Sequence, residues 1–371
     1  MSRRCVVQKY GGSSVADVAR IRTVAERVVE TRRTGVDVVV VVSAMGNTTN
    51  ELLALASEIS PDPGRREVDL LISVGERVSM TLLAMAIEAL GEPAQSFTGS
   101  QSGIITDNQH VAARVIEVRP HRIRRALDEG RIAIVAGFQG VSLNGEVTTL
   151  GRGGSDTTAV VLTAALGADH CEICSDVDGV YTADPRTVTA ARRLDELSLT
   201  SALAMARAGS KVLLADALEQ AERNGVTLMS GATDKPAGQG TRLPPGPPSE
   251  QVLSIAVDAN VFLVASGEDV SSCAGAIRAR LADGRVLVDG RNLPDPDQWG
   301  MAETPLPVAA VSAIGRSVVI DPQTTDRAYA AVQSIADQSV CWAVGEVFTA
   351  VVDRPLAGPL ETELHRVLIE D

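Results

Sequence analysis

Aromatic residues are scarce in this chain: 2% of its 371 positions, with two tryptophans, three tyrosines and four phenylalanines. A core built with so few rings must be filled by Val, Leu, Ala and Ile, and a hydrophobic fraction of 45% suffices for that. Basic charge is also short, at 34 Lys and Arg against 47 Asp and Glu, a net charge of −13. This argues against nonspecific nucleic-acid binding. Small anions remain possible ligands, because backbone N–H groups and a few local cations can hold them. No uninterrupted apolar run reaches the ~20 residues that span a bilayer, and "MSRRCVVQKYGG" is too short in apolar residues for a secretory signal. The expectation is a cytoplasmic protein without a membrane partner. Cysteine is limited to Cys5, Cys171, Cys174, Cys273 and Cys341, an odd number that fits reduced thiols. The Cys171-x-x-Cys174 pair reads as two thiols in a buried strand, since a zinc or redox site would want a second pair or a helix start. His110, His121, His170 and His365 show no metal-ligand spacing, and no Walker A loop occurs.

What is present is alternation. Through residue 243, short β-branched runs ("CVVQKY", "VDVVVVVSAMG", "RIAIVAGFQG", "HCEICSDVDGVY", "GVTLMSG") alternate with helix-like stretches. One helix is expected over roughly Val15–Thr34, capped by Ser13 and Ser14, and a long one in "EVDLLISVGERVSMTLLAMAIEALG", ending at Gly91. The alternation predicts an α/β fold with a mainly parallel sheet, helices on both faces and ligands at the C-terminal strand ends. "PPGPPSE", residues 244–250, is a stiff linker and marks a boundary. Residues 251–371 give two rounds of strand, helix and strands, including a helical "AGAIRARLADG" and a helical "TTDRAYAAVQSIAD". That half reads as one or two small α+β sandwiches without a catalytic constellation.

Five glycine-bearing elements carry the chemistry. In "KYGGSS", Lys9 ends a strand before Gly11, Gly12 and Ser13, an arrangement that admits a phosphate to a helix N-terminus. "VVSAMGNTTNE" offers Ser43, Thr48 and Thr49 for phosphate or carboxylate contacts, or for capping the next helix. "SVGERVS" places Glu76 and Arg77 beside Gly75 in an apolar stretch. "TTLGRGGSDTTAV" sets Arg152, a planar fork suited to a carboxylate, four residues before Asp156, suited to an ammonium. Together they could hold both ends of an α-amino acid. "SDVDGVYTADPR" supplies Ser175 and Asp176 at a strand end, Tyr181 for a flat ring, and a turn from Asp184 to Arg186.

These five elements, in this order from about Cys5 to Leu243, resemble the aspartate kinases of the amino-acid kinase family. "QSFTGSQSGIIT", "AGFQGV", "TTLGRGGSDTTAV" and "DVDGVYTADPR" are similar to actinobacterial aspartokinases in particular. The resemblance implies a three-layer αβα catalytic domain over residues 1–243 and a tandem ACT-like regulatory and dimerising region over 251–371. It implies transfer of the γ-phosphoryl group of Mg·ATP to the β-carboxylate of L-aspartate. Lys9 and Lys211 would then stabilise the transferring group, with Gly11, Gly12 and Ser13 beside it and Ser43 near the phosphates. Thr49, Glu76, Arg152, Gly154 and Ser155 would line the amino acid, with Arg152 on its α-carboxylate and Asp156 near its amino group. Ser175, Asp176, Tyr181, Asp184 and Arg186 would belong to the nucleotide pocket. Mg²⁺ would bind through ATP and water, and two copies of the chain would pair through their C-terminal regions.

The chain departs from the family in three places. "LLADALEQ" follows Lys211 where a basic or His-Pro element is usual, and Met229 replaces an arginine in "LMSGAT". "SGEDVSSCAGAIRARLADG" lacks the Asp-Arg-Pro-Gly turn of a first ACT domain. The first two lie beside the nucleotide or at the domain junction and leave the amino-acid clamp intact; the third implies a degenerate ACT pair that does not sense lysine or threonine, as in an enzyme dedicated to one pathway. Two other readings stay open: a kinase acting on a modified, aspartate-like carboxylate, and a non-catalytic regulatory subunit.

Overall fold

Strand β1 (Cys5–Tyr10) pairs in parallel with β2 (Asp37–Val42), the valine run, and every residue of β2 is buried. A strand covered on both faces has no solvent side, hence the absence of polar alternation. The computed structural model describes residues 4–370 apart from 292, 294 and 338. Two compact units interleave along the chain. The first holds Met1–Val180, Asp195–Leu199 and Val212–Pro245; the second holds Tyr181–Leu194, Thr200–Lys211 and Gly246–Asp371.

In the first unit, α1 (Val18–Arg33) lies between β1 and β2. After β2 come α2 (Thr48–Ile59), α3 (Arg65–Ile72), α4 (Val74–Ala89), β3 (Ala94–Phe97) and α5 (Gly99–Ser102). Next are β4 (Ile104–Thr106), β5 (Val115–Val118), α6 (His121–Asp128), β6 (Ile132–Ala136), β7 (Gln139–Ser142) and β8 (Val147–Thr149). Then follow α7 (Gly154–Leu166) and β9 (His170–Ser175). All but the first residue of α8 (Leu199–Arg207) falls in the second unit; α9 (Ala215–Asn224), β10 (Leu228–Ala232) and β11 (Thr241–Leu243) return to the first. Seven strands form one sheet in the order β11-β10-β9-β1-β2-β6-β3, parallel except for β11. On one face, α1 and α4 bury Ile21, Val24, Val28, Leu83 and Ile87 against Val6, Val38, Val40 and Ile134. On the other, α7 packs on β1, β2 and β9 with Ala159, Val160 and Leu162 fully enclosed. A small sheet, β5-β4-β7-β8, stands apart from the large one.

The second unit has β12 (Ser254–Val264), β13 (Ile277–Arg280), β14 (Val286–Asp289), β15 (Leu306–Ile314), α10 (Ser317–Ile320) and α11 (Pro322–Ile335). It continues with β16 (Val340–Val344), β17 (Val347–Asp353) and α12 (Ala357–His365). Strands from both rounds join one antiparallel sheet, β13-β14-β12-β15-β17-β16, and α10, α11 and α12 cover one of its faces.

Two expectations need correction. The helix expected in "AGAIRARLADG" is a 3-10 turn, Ser271–Ala276, followed by strand β13. Ile277, Ala279 and Leu281 alternate with Arg278 and Arg280, a period of two that outweighs the helical composition. Helix α1 starts at Val18, and its cap is Asp17, which accepts from the Arg20 N–H at 2.9 Å, in place of Ser13 and Ser14. Ser14 is buried and bonds Thr233 Oγ1 at 2.7 Å. The long helix is present as α3 and α4, joined at Ser73, whose carbonyl accepts from Gln139 Nε2 at 3.0 Å. Arg65–Ala89 has the length and composition of a membrane span, yet it is these two helices, with α4 supplying core residues beneath α1.

The α1 face of the sheet also encloses charge. Arg27 of α1 reaches Glu172 of β9 at 2.7 Å, Tyr10 Oη at 2.9 Å and the Lys235 carbonyl at 2.8 Å. The Glu172 carboxylate accepts from Gln8 Nε2 at 2.9 Å and from the Gly238 N–H at 3.0 Å. The network thus ties the loop between β10 and β11 to the sheet. Removing one member of such a pair leaves the other buried without compensation. Arg27→Met is therefore expected to destabilise the chain by about 3–5 kcal/mol in chemical denaturation. Arg27→Met combined with Glu172→Gln should regain the greater part, because Gln still accepts from Gln8 and Gly238 without a charge; a double variant as weak as the single one would contradict the pairing.

Candidate active site

Side chains of β1 alternate between faces, so Val7 and Lys9 look toward α7 while Gln8 and Tyr10 look toward α1. Lys9, at the C-terminal end of the strand, therefore meets the N-terminal turn of α7. Its Nζ lies 2.6 Å from Asp156 Oδ1, with side chains 12% and 9% exposed. The contact is ionic: that oxygen has no aligned hydrogen-bond donor among the described residues.

Glycines let the surrounding loops close on this pair. A Cβ at Gly11 would lie 3.5 Å from Lys9 Nζ, and one at Gly12 would press within 3.0 Å of the Ala44 carbonyl. Gly46 N–H donates to the Gly12 carbonyl at 3.1 Å, which locks the first loop to the second. At the α7 end, Gly151 and Gly153 hold φ of +76° and +77°, the left-handed region that favours glycine. A Cβ at Gly154 would strike Leu150 Cβ at 2.8 Å, and one at Gly137 would strike Ser155 Cβ at 2.8 Å. In the turn so formed, the Gly154, Asp156 and Thr157 N–H groups bond back to the Gly151 and Gly153 carbonyls, and the positive end of the helix dipole lies at Lys9 and Asp156.

Glu76 lies on the first turn of α4 and is 3% exposed. Gly75 makes its approach possible, since a Cβ there would sit 2.6 Å from Ala44 Cβ. Glu76 Oε1 accepts from the Ala44 N–H at 3.1 Å, while Oε2 is enclosed without a partner among the described residues. Burial pushes the carboxyl up to about 7, against the opposing pull of the Glu76 and Ala44 N–H groups. Arg77 Nε is likewise enclosed without a partner. A buried acid with a free oxygen is suited to a ligand ammonium.

The remaining assignments of the first unit sort by exposure. Arg152 is exposed and has no ion pair among the described residues; Ser13 and Asp176 are exposed, and Ser43 and Thr49 half-buried. Ser155 is buried in the α7 turn. Ser175 Oγ accepts from the Val177 N–H at 3.2 Å, and its carbonyl receives the Thr233 N–H at 2.9 Å. Arg152 and Asp156 do not present matched free charges: Asp156 is engaged by Lys9, and the acid with a vacant oxygen is Glu76.

Tyr181, Asp184, Arg186 and Lys211 belong to the second unit. Arg186 folds back on Asp184 at 2.7 Å, and that hydrogen bond holds the Asp184 carboxyl below its ordinary range. The Asp184 N–H donates to Glu361 Oε1 of α12 at 3.1 Å, and Thr182 Oγ1 lies 2.8 Å from His365 Nε2. Burial pushes the Glu361 carboxyl up to about 7. Lys211 is exposed. The Cys171 and Cys174 thiols occupy opposite faces of β9, so they share no site; burial drives the Cys174 thiol up to about 12. Among the described residues no group of three or more His, Cys, Asp and Glu could hold a metal ion. One polar cluster escaped the sequence reading: Asp69 with His110 and Thr149. Its only local signal is an acid inside the apolar run "VDLLIS".

Residues 4–229 match the Amino acid kinase family. The aspartokinase of Mycolicibacterium smegmatis is 60% identical over 234 residues, 62% of this chain and 56% of that protein. The aspartokinase of Corynebacterium glutamicum is 52% identical over 292 residues, 76% of this chain and 69% of that protein. The chain thus spans little more than half the length of its mycobacterial relative, with 56% covered. E. coli aspartokinase III, solved in complex with aspartate and ADP, superposes with a TM-score of 0.78 at 24% identity, over 98% of this chain and 100% of that one, a likeness of fold. With the matched region holding β1, its glycine loop and the α7 turn, the chain belongs to the amino acid kinase family and groups within it with the aspartokinases.

Proposed function

We propose that the chain is an ATP-dependent aspartate kinase. The γ-phosphoryl group of ATP passes to the β-carboxylate of L-aspartate, giving 4-phospho-L-aspartate and ADP. The observation that carries this reading is the Lys9–Asp156 pair, which fixes a cation between the glycine loop and the α7 N-terminus. The acceptor carboxylate is already a nucleophile, so no covalent enzyme intermediate is required. The work is positioning and charge neutralisation. Lys9, oriented by Asp156, neutralises the transferring group, with Gly12 and Ser13 donating around it and Gly11, whose N–H is turned to the Cys174 carbonyl, leaving room beside it. Glu76 Oε2 takes the ammonium of the amino acid, and Arg152 takes its α-carboxylate. Mg²⁺ would supply neutralisation of phosphate charge when carried in on the nucleotide and water, since among the described residues no cluster of three or more His, Cys, Asp and Glu could hold it. Ser175, Asp176, Tyr181, Asp184, Arg186 and Lys211 are assigned to the nucleotide.

Residues 251–371, beyond the 244–250 linker, are assigned to a degenerate tandem ACT-like region that pairs two copies of the chain. The 3-10 turn of Ser271–Ala276, standing where a helix was expected, supports loss of lysine and threonine sensing.

Trapping of acyl phosphate with hydroxylamine over a panel of amino acids should give product with L-aspartate. Lys9→Ala should lower turnover by roughly 10²-fold or more; a preference for another acid, or full activity without Lys9, would refute the reading. Lysine and threonine at millimolar levels should leave the rate unchanged in the same assay, and strong inhibition by either would refute the loss of sensing.

Glu76 gives a pH signature. Its carboxyl sits at about 7 when folded against the ordinary 4.5, so the folded chain holds a proton that the unfolded chain has lost in that window. Stability from this group is therefore lost as pH rises from about 4.5 to about 7. At pH 8 without ligand, Glu76→Gln should be more stable than the parent by on the order of 3 kcal/mol. Its KM for aspartate should nevertheless rise, and the parent's KM for aspartate should fall from pH 6 to pH 8 as the carboxyl ionises. Steady-state kinetics beside denaturation curves check both directions.

A further inference from the structure

Asp69 of α3 is fully buried, and its carboxylate gathers contacts from two distant segments. Thr149 Oγ1, at the end of β8, donates to Oδ1 at 2.6 Å. The Val111 N–H donates to the same carboxylate at 3.1 Å and 3.2 Å, and His110 Nδ1 lies 2.7 Å from Oδ2. Val111 has φ of +74°, left-handed for a β-branched residue. Such a backbone costs on the order of 1–3 kcal/mol and persists only where its surroundings hold it. Asp69 supplies that hold.

The loop so held forms the floor under the arginine turn. A Cβ at Gly151 would lie 3.3 Å from the Val111 carbonyl and 3.6 Å from Ala112 Cα. The Ala113 N–H donates to the Thr149 carbonyl at 2.9 Å. Thr149 precedes Arg152 by three residues, and Gly151 adjoins it. Arg152 is exposed, so no packing fixes its long side chain, and its aim depends on the backbone from which it departs.

We infer that Asp69 is a positioning residue for Arg152, acting through Thr149 and the strained Val111 loop to fix the α-carboxylate end of the amino-acid site. This rests on the aspartate kinase reading above. The test varies aspartate and ATP separately for Asp69→Asn, Thr149→Val and the parent. Both variants should raise KM for aspartate about tenfold or more, in line with a lost hydrogen bond to a charged group. KM for ATP and kcat at saturating aspartate should stay within about twofold of the parent. Adding Val111→Gly to Asp69→Asn should restore much of the lost affinity, because glycine adopts φ of +74° without a tether. Thr149→Val keeps the shape of the side chain and reads the same coupling should Asp69→Asn not fold. Equal rises in both KM values, an unchanged KM for aspartate, or no recovery with glycine would each overturn the positioning role. A parent that turns over ATP with no aspartate product would overturn the kinase reading and this inference together, whereas a parent active on aspartate with indifferent variants overturns this inference alone.

Discussion

The pleat of β1 is the constraint on which the first unit depends. Each face of this one strand is bound to a buried ion pair: Lys9 with Asp156 toward α7, and, toward α1, Arg27 with Glu172, whose second oxygen accepts from Gln8. Desolvated charges tolerate no wrong partner. A slip of one residue would turn Lys9 into the α1 face and Gln8 into the α7 face, leaving charges on both sides unmatched. Stability of the sheet and aim of the lysine are thereby set by the same register, Lys9 beside Val41 and Ile173.

Much of this was legible in the sequence. The valine run of β2, the glycines after β1 and the Arg152 turn before α7 are local signals, read from neighbours a few residues apart. What stayed hidden is what joins distant segments. Lys9 meets Asp156, Arg27 meets Glu172, and Asp69 meets both His110 and Thr149, and no periodicity encodes such meetings. Pairing Arg152 with Asp156 by spacing alone therefore left out Lys9, which claims the aspartate, and gave no sign that Glu76 encloses an oxygen reached by no donor among the described residues. The misread "AGAIRARLADG" is a different failure: its period-two pattern was present, but its Ala, Arg and Leu content favours helices.

The second unit shapes residues that the sequence assigns to the nucleotide. The backbone from Thr182 to Asp184 is held by His365 and Glu361 of α12, and Ile255 of β12 donates its N–H to the Thr182 carbonyl at 2.8 Å. The turn at Asp184 thus takes its conformation from the C-terminal sheet and its helix. An alteration of α12 reaches this turn through the hydrogen bonds of His365 and Glu361, which gives the C-terminal half a say in its shape.

The joint at Ser73 has a mechanical consequence. Ser73 keeps right-handed helical angles, and Gln139 satisfies the carbonyl it frees, so α3 and α4 continue nearly as one rod. Asp69 and Glu76 are seven residues apart, close to two full turns, and so occupy one stripe of that rod. One acid secures the loop beneath Arg152 and the other grips the end of β2. A small rocking of the rod carries both anchor points in the same direction. The span between the two anchor points is thus set by the pitch of one helix, like that of a caliper whose two jaws are cut from a single bar.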